Sequence, residues 1–219
     1  MALSPAEKAV RILPVLEARY GNATTELHYQ NPYQLTVAVV LSAQCTDVRV
    51  NQTTPAFFAR FPDFATLAQA TPEEVFPYIR SISYPNSKAQ RLVALAREVM
   101  DKYNGELPKD PEELQKLPGI GRKSANVISS VLWEAPVIAV DTHVFRVSRR
   151  LGLAQGKTPE KVEEELRQII PPAYLGRAHH WLILFGRYHC TARKPQCERC
   201  PFTDLCAYYA AHVASKAAP

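Results

Sequence analysis

At five helix starts along the 219 residues a capping side chain stands directly before a proline: Ser4-Pro5, Asn31-Pro32, Thr71-Pro72, Asp110-Pro111 and Thr158-Pro159. A proline fits the first turn of a helix, where its missing N–H has no partner to lose, and is costly further in. A Ser, Thr, Asn or Asp just before it can accept a hydrogen bond from an amide of that first turn. Each pair therefore reads as a helix start, and such usage accounts for much of the proline content without invoking disorder. Helices are expected over 5–19, 32–44, 47–60, 72–80, 87–104, 111–117, 122–133, 142–152, 159–170, 174–189 and 203–212. Pro14 and Pro55 fall inside two of them and are expected to kink or divide them. Strand signals are weak: residues 137–140 are apolar but few, and run straight into Asp141-Thr142, a further capping pair. The chain reads as all-α.

Composition sets broad bounds. With 47% hydrophobic and 21% charged residues the chain matches ordinary globular proteins, and its length supports one large or two small domains. A net charge of +5 leans towards a nucleic-acid partner without establishing one. Glu7, Lys8 and Arg11 interrupt the N-terminus, so no signal peptide is visible. No uncharged apolar run approaches the ~20 residues of a membrane span. A soluble, intracellular protein is expected.

Residues 110–145 carry the densest pattern. Asp110 and Pro111 open a short helix, with Glu113 placed for a capping box. The turn Leu117-Pro118-Gly119-Ile120-Gly121 then ends it, and Arg122 opens the next. Gly119 and Gly121 permit positive φ and hold no side chain against a partner. Amides at the start of the second helix can meet an anion, with the helix dipole behind them. A DNA phosphate suits such a turn, and Arg122 and Lys123 add charge beside it.

Four of the five cysteines lie in a C-x6-C-x2-C-x5-C pattern, at Cys190, Cys197, Cys200 and Cys206. Four thiolates so close together suit a metal or a cluster, and on chemical grounds zinc serves as well as iron and sulfur. Disulfides are disfavoured by the intracellular character of the chain and by the crowding. Cys45 stands apart and reads as a buried thiol.

Two segments carry a family resemblance: LPGIGRKSANV at 117–127 and VDTHVFRV at 140–147. They resemble the helix–hairpin–helix of base-excision DNA glycosylases, in particular the endonuclease III family, whose pattern is LPGVGRKTANV followed by VDTHVFRV. The resemblance covers nearly the whole chain. It implies two helical domains flanking a DNA-binding cleft: a six-helix barrel with the helix–hairpin–helix at 25–135, and a cluster domain at 1–24 and 136–219. The cysteine spacing is similar to the family's 4Fe-4S loop, so the resemblance favours that cluster, in a structural role, over zinc.

The resemblance also implies a catalytic pair. Lys123 occupies the position of the family's nucleophilic lysine, and Asp141 that of its essential aspartate, which accepts a proton or stabilises charge on the sugar. Without the resemblance Lys123 reads as a phosphate-binding lysine and Asp141 as a simple N-cap. The adenine glycosylase that acts opposite oxidised guanine shares the hairpin and the cluster, but has serine at the Lys123 position. It also has a catalytic glutamate that the segment LSAQCTD at 41–47 lacks. That segment is similar to the family's LLSAQATDV, which places Gln44 at a residue that enters the duplex. The second wedge departs from the pattern: the family's Gly-Leu-Tyr-Asn-Ser-Lys-Ala is here Ser83-Tyr84-Pro85-Asn86-Ser87-Lys88-Ala89, with Tyr84 at the intercalating leucine.

DNA contacts are expected at Gln44, Tyr84, Leu117, Gly119, Gly121, Arg122, Arg193 and Lys194, the last two between the first two cysteines of the loop. His143, His179, His180 and Trp181 read as packing or hydrogen-bonded residues. The reading is a monomeric bifunctional DNA glycosylase and abasic-site lyase that removes oxidised pyrimidines from double-stranded DNA. It would work in the cytoplasm, on the nucleoid if bacterial. The rivals are a DNA-binding module without catalysis and a glycosylase without lyase activity.

Overall fold

The computed structural model describes residues 3–214, which are helices and their connections without a strand among them. All five capping residues sit at helix starts. Ser4 and Thr71 form full capping boxes with Glu7 and Glu74, while Asn31, Asp110 and Thr158 accept from Gln34, Glu112 and Lys161 amides. Glu113 departs from its expected place in a capping box. Its carboxylate instead accepts from the Tyr103 hydroxyl at 3.1 Å and the Lys116 ammonium at 2.5 Å.

The chain divides into two compact units, Thr25–Trp133 and the pair of segments Met1–Thr24 and Glu134–Pro219. The first unit holds α2 (Pro32–Ser42), α3 (Asp47–Arg60), α4 (Phe64–Gln69), α5 (Pro72–Ile79), α6 (Pro85–Tyr103), α7 (Pro111–Leu114) and α8 (Arg122–Trp133). Its centre is α2, whose run from Leu35 to Leu41 is buried on every side. A helix apolar all round has no face for water, and α3, α6 and α8 pack about it.

The second unit holds α1 (Pro5–Tyr20), α9 (Thr142–Leu151), α10 (Pro159–Ile169), α11 (Leu175–Tyr188) and α12 (Ala207–Tyr209). Here α1 packs on α10 and α11, and α11 on α9. Trp181, fully buried in α11, donates its indole N–H to Gly21 O at 3.0 Å, and Arg177 pairs with Glu17 at 2.6 Å. The start and end of the chain thus share one core of Ile12, Leu16, Val144, Val147, Leu166 and Phe185. Truncating a buried tryptophan of this kind costs about 3–5 kcal/mol.

Three expectations are corrected. Pro14 and Pro55 do not divide α1 and α3, which run through them, as α5 runs through Pro77. All three prolines are exposed, so water can solvate the carbonyl each leaves unpaired. The six-residue α4, capped by Asp63, is too short to show a helical period and was absent from the expected helices. The last helix is also shorter than 203–212: α12 is one turn, followed by a wider turn at Ala210–Ala214.

Candidate functional site

In the first unit, the turn after α7 gives its two glycines different tasks. Gly119 takes φ +82°, and a Cβ there would stand 3.2 Å from the Arg91 Cβ, so both conformation and space demand glycine. Gly121 does not take positive φ, and a Cβ there would meet nothing within 4 Å. Its bareness serves whatever approaches from outside the chain. Helical bonding begins with the Ala125 amide to Gly121 O at 2.9 Å. The amides of residues 122–124, one step ahead, therefore have no carbonyl of their own helix to bond. Arg122 and Lys123 are exposed on that same first turn of α8.

Leu117, an expected DNA contact, turns its side chain inward. Its side chain is only 2% exposed, so it belongs to the core and only its backbone borders the turn, accepting from the Ile120 amide at 3.1 Å.

The two expected wedge residues are exposed, and both hold left-handed backbone: Gln44 at φ 55° and Tyr84 at φ 57°. Tyr84 stands at the start of α6 with no side-chain cap, which explains why no capping signal announced this helix two residues earlier than expected.

In the second unit, Asp141 caps α9. Its Oδ1 accepts from the His143 and Val144 amides, each at 2.8 Å. One oxygen thus fixes the carboxylate while Oδ2 takes neither bond. The helix behind it crosses α11 closely: a Cβ on Gly186 would lie 3.0 Å from both His143 Cβ and Val147 Cγ2.

Two arginines of α9, missed in the sequence, tie this helix to the cysteine loop. Arg146 donates to Cys190 O at 3.1 and 3.2 Å and to Gly186 O at 2.8 Å. Arg150, one turn on, donates to Thr191 O at 2.8 Å and Ala192 O at 2.9 Å, and its guanidinium lies 4.4 Å from the Tyr208 ring centre. Their spacing of four places them on one helix face. Nothing in the sequence alone said that the loop lay there. Arg193 and Lys194 are exposed on the loop.

Cys190, Cys197, Cys200 and Cys206 are all free thiols and line a single cavity with Leu151 and Phe185. Zinc would require four sulfurs about 3.8 Å apart around Zn–S bonds of ~2.3 Å. Among the described residues, no three His, Cys, Asp or Glu side chains stand close enough to grip one ion. Burial pushes the Cys197 and Cys206 thiols up and Cys200 up to about 11, so these three are thiolates only beside compensating positive charge. His189, stacked on Phe185, lines the same cavity, and its Nε2 is buried with no partner, a place that a cluster sulfur would satisfy.

Comparison with known proteins draws these parts together. Residues 37–172 match the HhH-GPD superfamily of base excision DNA repair proteins, and residues 190–206 the iron–sulfur binding domain of endonuclease III. The chain is 48% identical to Endonuclease III of Rickettsia conorii over 199 residues, 91% of this chain and 95% of that one. This chain belongs to the endonuclease III family. Against Endonuclease III of Escherichia coli the identity is 44%, over 92% of this chain and 95% of the relative. A solved structure of a trapped Endonuclease III–DNA covalent intermediate superposes with a TM-score of 0.89 at 43% identity, covering 94% of this chain and 97% of the other. As a member of the endonuclease III family the chain is a DNA glycosylase and abasic-site lyase of base-excision repair, all-helical, acting on DNA and carrying a 4Fe-4S cluster.

Proposed function

We propose that this enzyme removes oxidised pyrimidines from double-stranded DNA and cuts the resulting abasic site, with Lys123 as nucleophile and Asp141 as its partner in proton transfer. The neutral Lys123 amine attacks C1′ of the damaged nucleotide; the bond from C1′ to the base breaks, and the base leaves with the electron pair and takes up a proton. The Schiff base so formed acidifies C2′. Loss of a C2′ proton then expels the 3′ phosphate by β-elimination, and water frees the lysine. Asp141, fixed through Oδ1, first offers negative charge to the positive charge developing on the sugar and then receives the proton that the attached amine sheds.

The observation that carries this reading is an exposed lysine on the first turn of α8, directly after a turn whose second glycine faces open space. The covalent protein–DNA intermediate captured for a relative supports it. Gly119, Gly121 and Arg122 hold a phosphate, with Leu117 contributing backbone alone. Gln44 and Tyr84 fill the gap left by the extruded nucleotide. Arg193 and Lys194 press on the DNA backbone. Cys190, Cys197, Cys200 and Cys206 hold the cluster. Residues 25–135 serve as the helix–hairpin–helix barrel domain, and 1–24 with 136–219 as the cluster domain. The enzyme acts as a monomer in the cytoplasm, on the nucleoid in a bacterium. No described helix is long and apolar enough to cross a membrane.

The test is borohydride trapping on a duplex with one abasic site, comparing wild type and Lys123→Ala. A covalent adduct formed by the wild type and lost in the variant is the expected result. Adducts in both would move the nucleophile elsewhere. None in either, from folded protein that binds the duplex, would replace the lyase with a glycosylase that uses water alone.

A further inference from the structure

Among the described residues, Gln44, Tyr84, Asn104 and Glu134 are the non-glycine positions with left-handed backbone. Asparagine tolerates that conformation; a glutamine or a tyrosine is strained in it. Both strained side chains are exposed, and Tyr84, at 65%, is one of the most exposed large apolar side chains of the protein. Strain of this kind persists only where neighbouring structure imposes it.

The structure contains what imposes it. Ser83 donates its hydroxyl to Gln44 O at 2.8 Å, across 39 residues of chain. Lys88, on the first turns of α6 and only 4% exposed, reaches back to the end of α2. There it donates to Leu41 O at 2.8 Å and Ala43 O at 2.6 Å. These carbonyls end α2 and have no helical amide to accept from, so a buried ammonium satisfies them and the lysine is itself satisfied in turn. Thr53, on the α3 helix that follows the Gln44 loop, adds a hydroxyl contact to Ser81 at 3.2 Å. Pro85 disfavours right-handed helical backbone at Tyr84 before it, and leaves the left-handed form to be held by these bonds. The loop at 42–46 and the loop at 81–85 are consequently clamped together, with Gln44 and Tyr84 both exposed on them.

We infer that Ser83 is a positioning residue that anchors the Gln44 loop to the Tyr84 loop, so that the Gln44 side chain enters the duplex already placed. This rests on the reading of Gln44 and Tyr84 as the residues that fill the extruded nucleotide's place. The glycine that the family pattern has at this position carries no hydroxyl and could not make the bond, so the lock belongs to this chain. Ordering two loops before contact spares the entropy of ordering them during base extrusion. Ser83 reaches the backbone of Gln44 alone, so its effect on the reaction must pass through that residue.

The experiment is a double-mutant cycle on single-turnover base release from a duplex containing one thymine glycol, with Ser83→Ala, Ser83→Thr, Gln44→Ala and the double variant. Melting temperatures establish that each is folded. Ser83→Ala is expected to slow release about ten-fold in the wild-type background. It should cost nothing more in the Gln44→Ala background, and Ser83→Thr should restore the rate. A merely structural serine would add its cost in both backgrounds, and that additive result would overturn the lock, as would an unslowed Ser83→Ala. Full activity of Gln44→Ala would instead bring down the wedge reading itself, and the lock with it. Loss in Gln44→Ala beside an inert Ser83→Ala would leave the wedge standing and remove only the lock.

Discussion

At the scale of single residues, Asp141 shows how a structural part and a chemical part can share one side chain. Oδ1 caps α9 through two amides, so the carboxylate cannot rotate away and the charge stays where the cap puts it. The two parts separate by substitution. Asparagine is as good a cap as aspartate, so Asp141→Asn should leave the melting temperature nearly unchanged while base release falls about a hundred-fold. Asp141→Ala should lose the same activity and about 1 kcal/mol of stability as well, read from denaturant unfolding. Equal activity of Asp141→Asn and wild type would confine the residue to capping. Lys123 is the complementary case, exposed and uninvolved in the fold, so its loss should remove the trapped adduct and leave stability alone.

At the scale of elements, the α7–α8 turn makes one demand of its own and one on behalf of DNA. Gly119→Ala would put an L residue at φ +82° with its Cβ 3.2 Å from Arg91, and should destabilise the enzyme by about 1–3 kcal/mol. Gly121→Ala meets open space and should fold normally, yet weaken binding to duplex DNA, measured by titration at fixed salt. A stable Gly119→Ala, or a Gly121→Ala that binds as wild type, would contradict this division. The cysteine loop is the other element whose order comes from elsewhere. Arg146 and Arg150 brace its first residues, while the stretch from 193 to 206 has little apolar side chain beyond Phe202 and Leu205. Removal of iron, or Cys200→Ser, should expose the loop to limited proteolysis between 193 and 206 and bleach the cluster's visible absorbance, with cuts elsewhere unchanged.

At the scale of the whole molecule, stability should fall in acid for a traceable reason. His180, buried in α11, is held down to about 3 by desolvation and then by the neighbouring His179. The unfolded chain takes up that proton near pH 6.5 while the native one refuses it, so stability is intact above that pH and declines as pH falls towards 3. By pH 5 the loss is about 2 kcal/mol. His180→Leu should therefore show a flatter melting temperature between pH 7 and 5 than the wild type, and parallel curves would assign the acid sensitivity elsewhere. The helix starts were legible because a capping side chain before a proline is a local device, complete within a few residues, and all five stand where they were read. The glycine turn, the four thiols and the capping part of Asp141 were legible for the same reason. The start of α6 escaped because Tyr84 caps nothing and takes a conformation that distant carbonyls hold in place, and α4 escaped because six residues cannot display a period. Local chemistry, written in adjacent residues, was determined by the sequence alone. The ties from Ser83 to Gln44, from Lys88 to Leu41 and Ala43, and from Arg146 and Arg150 to the cysteine loop join residues 39 to 47 apart. Only the tertiary structure could decide these, because hydrogen bonds at such separations exist once the helices between them have packed.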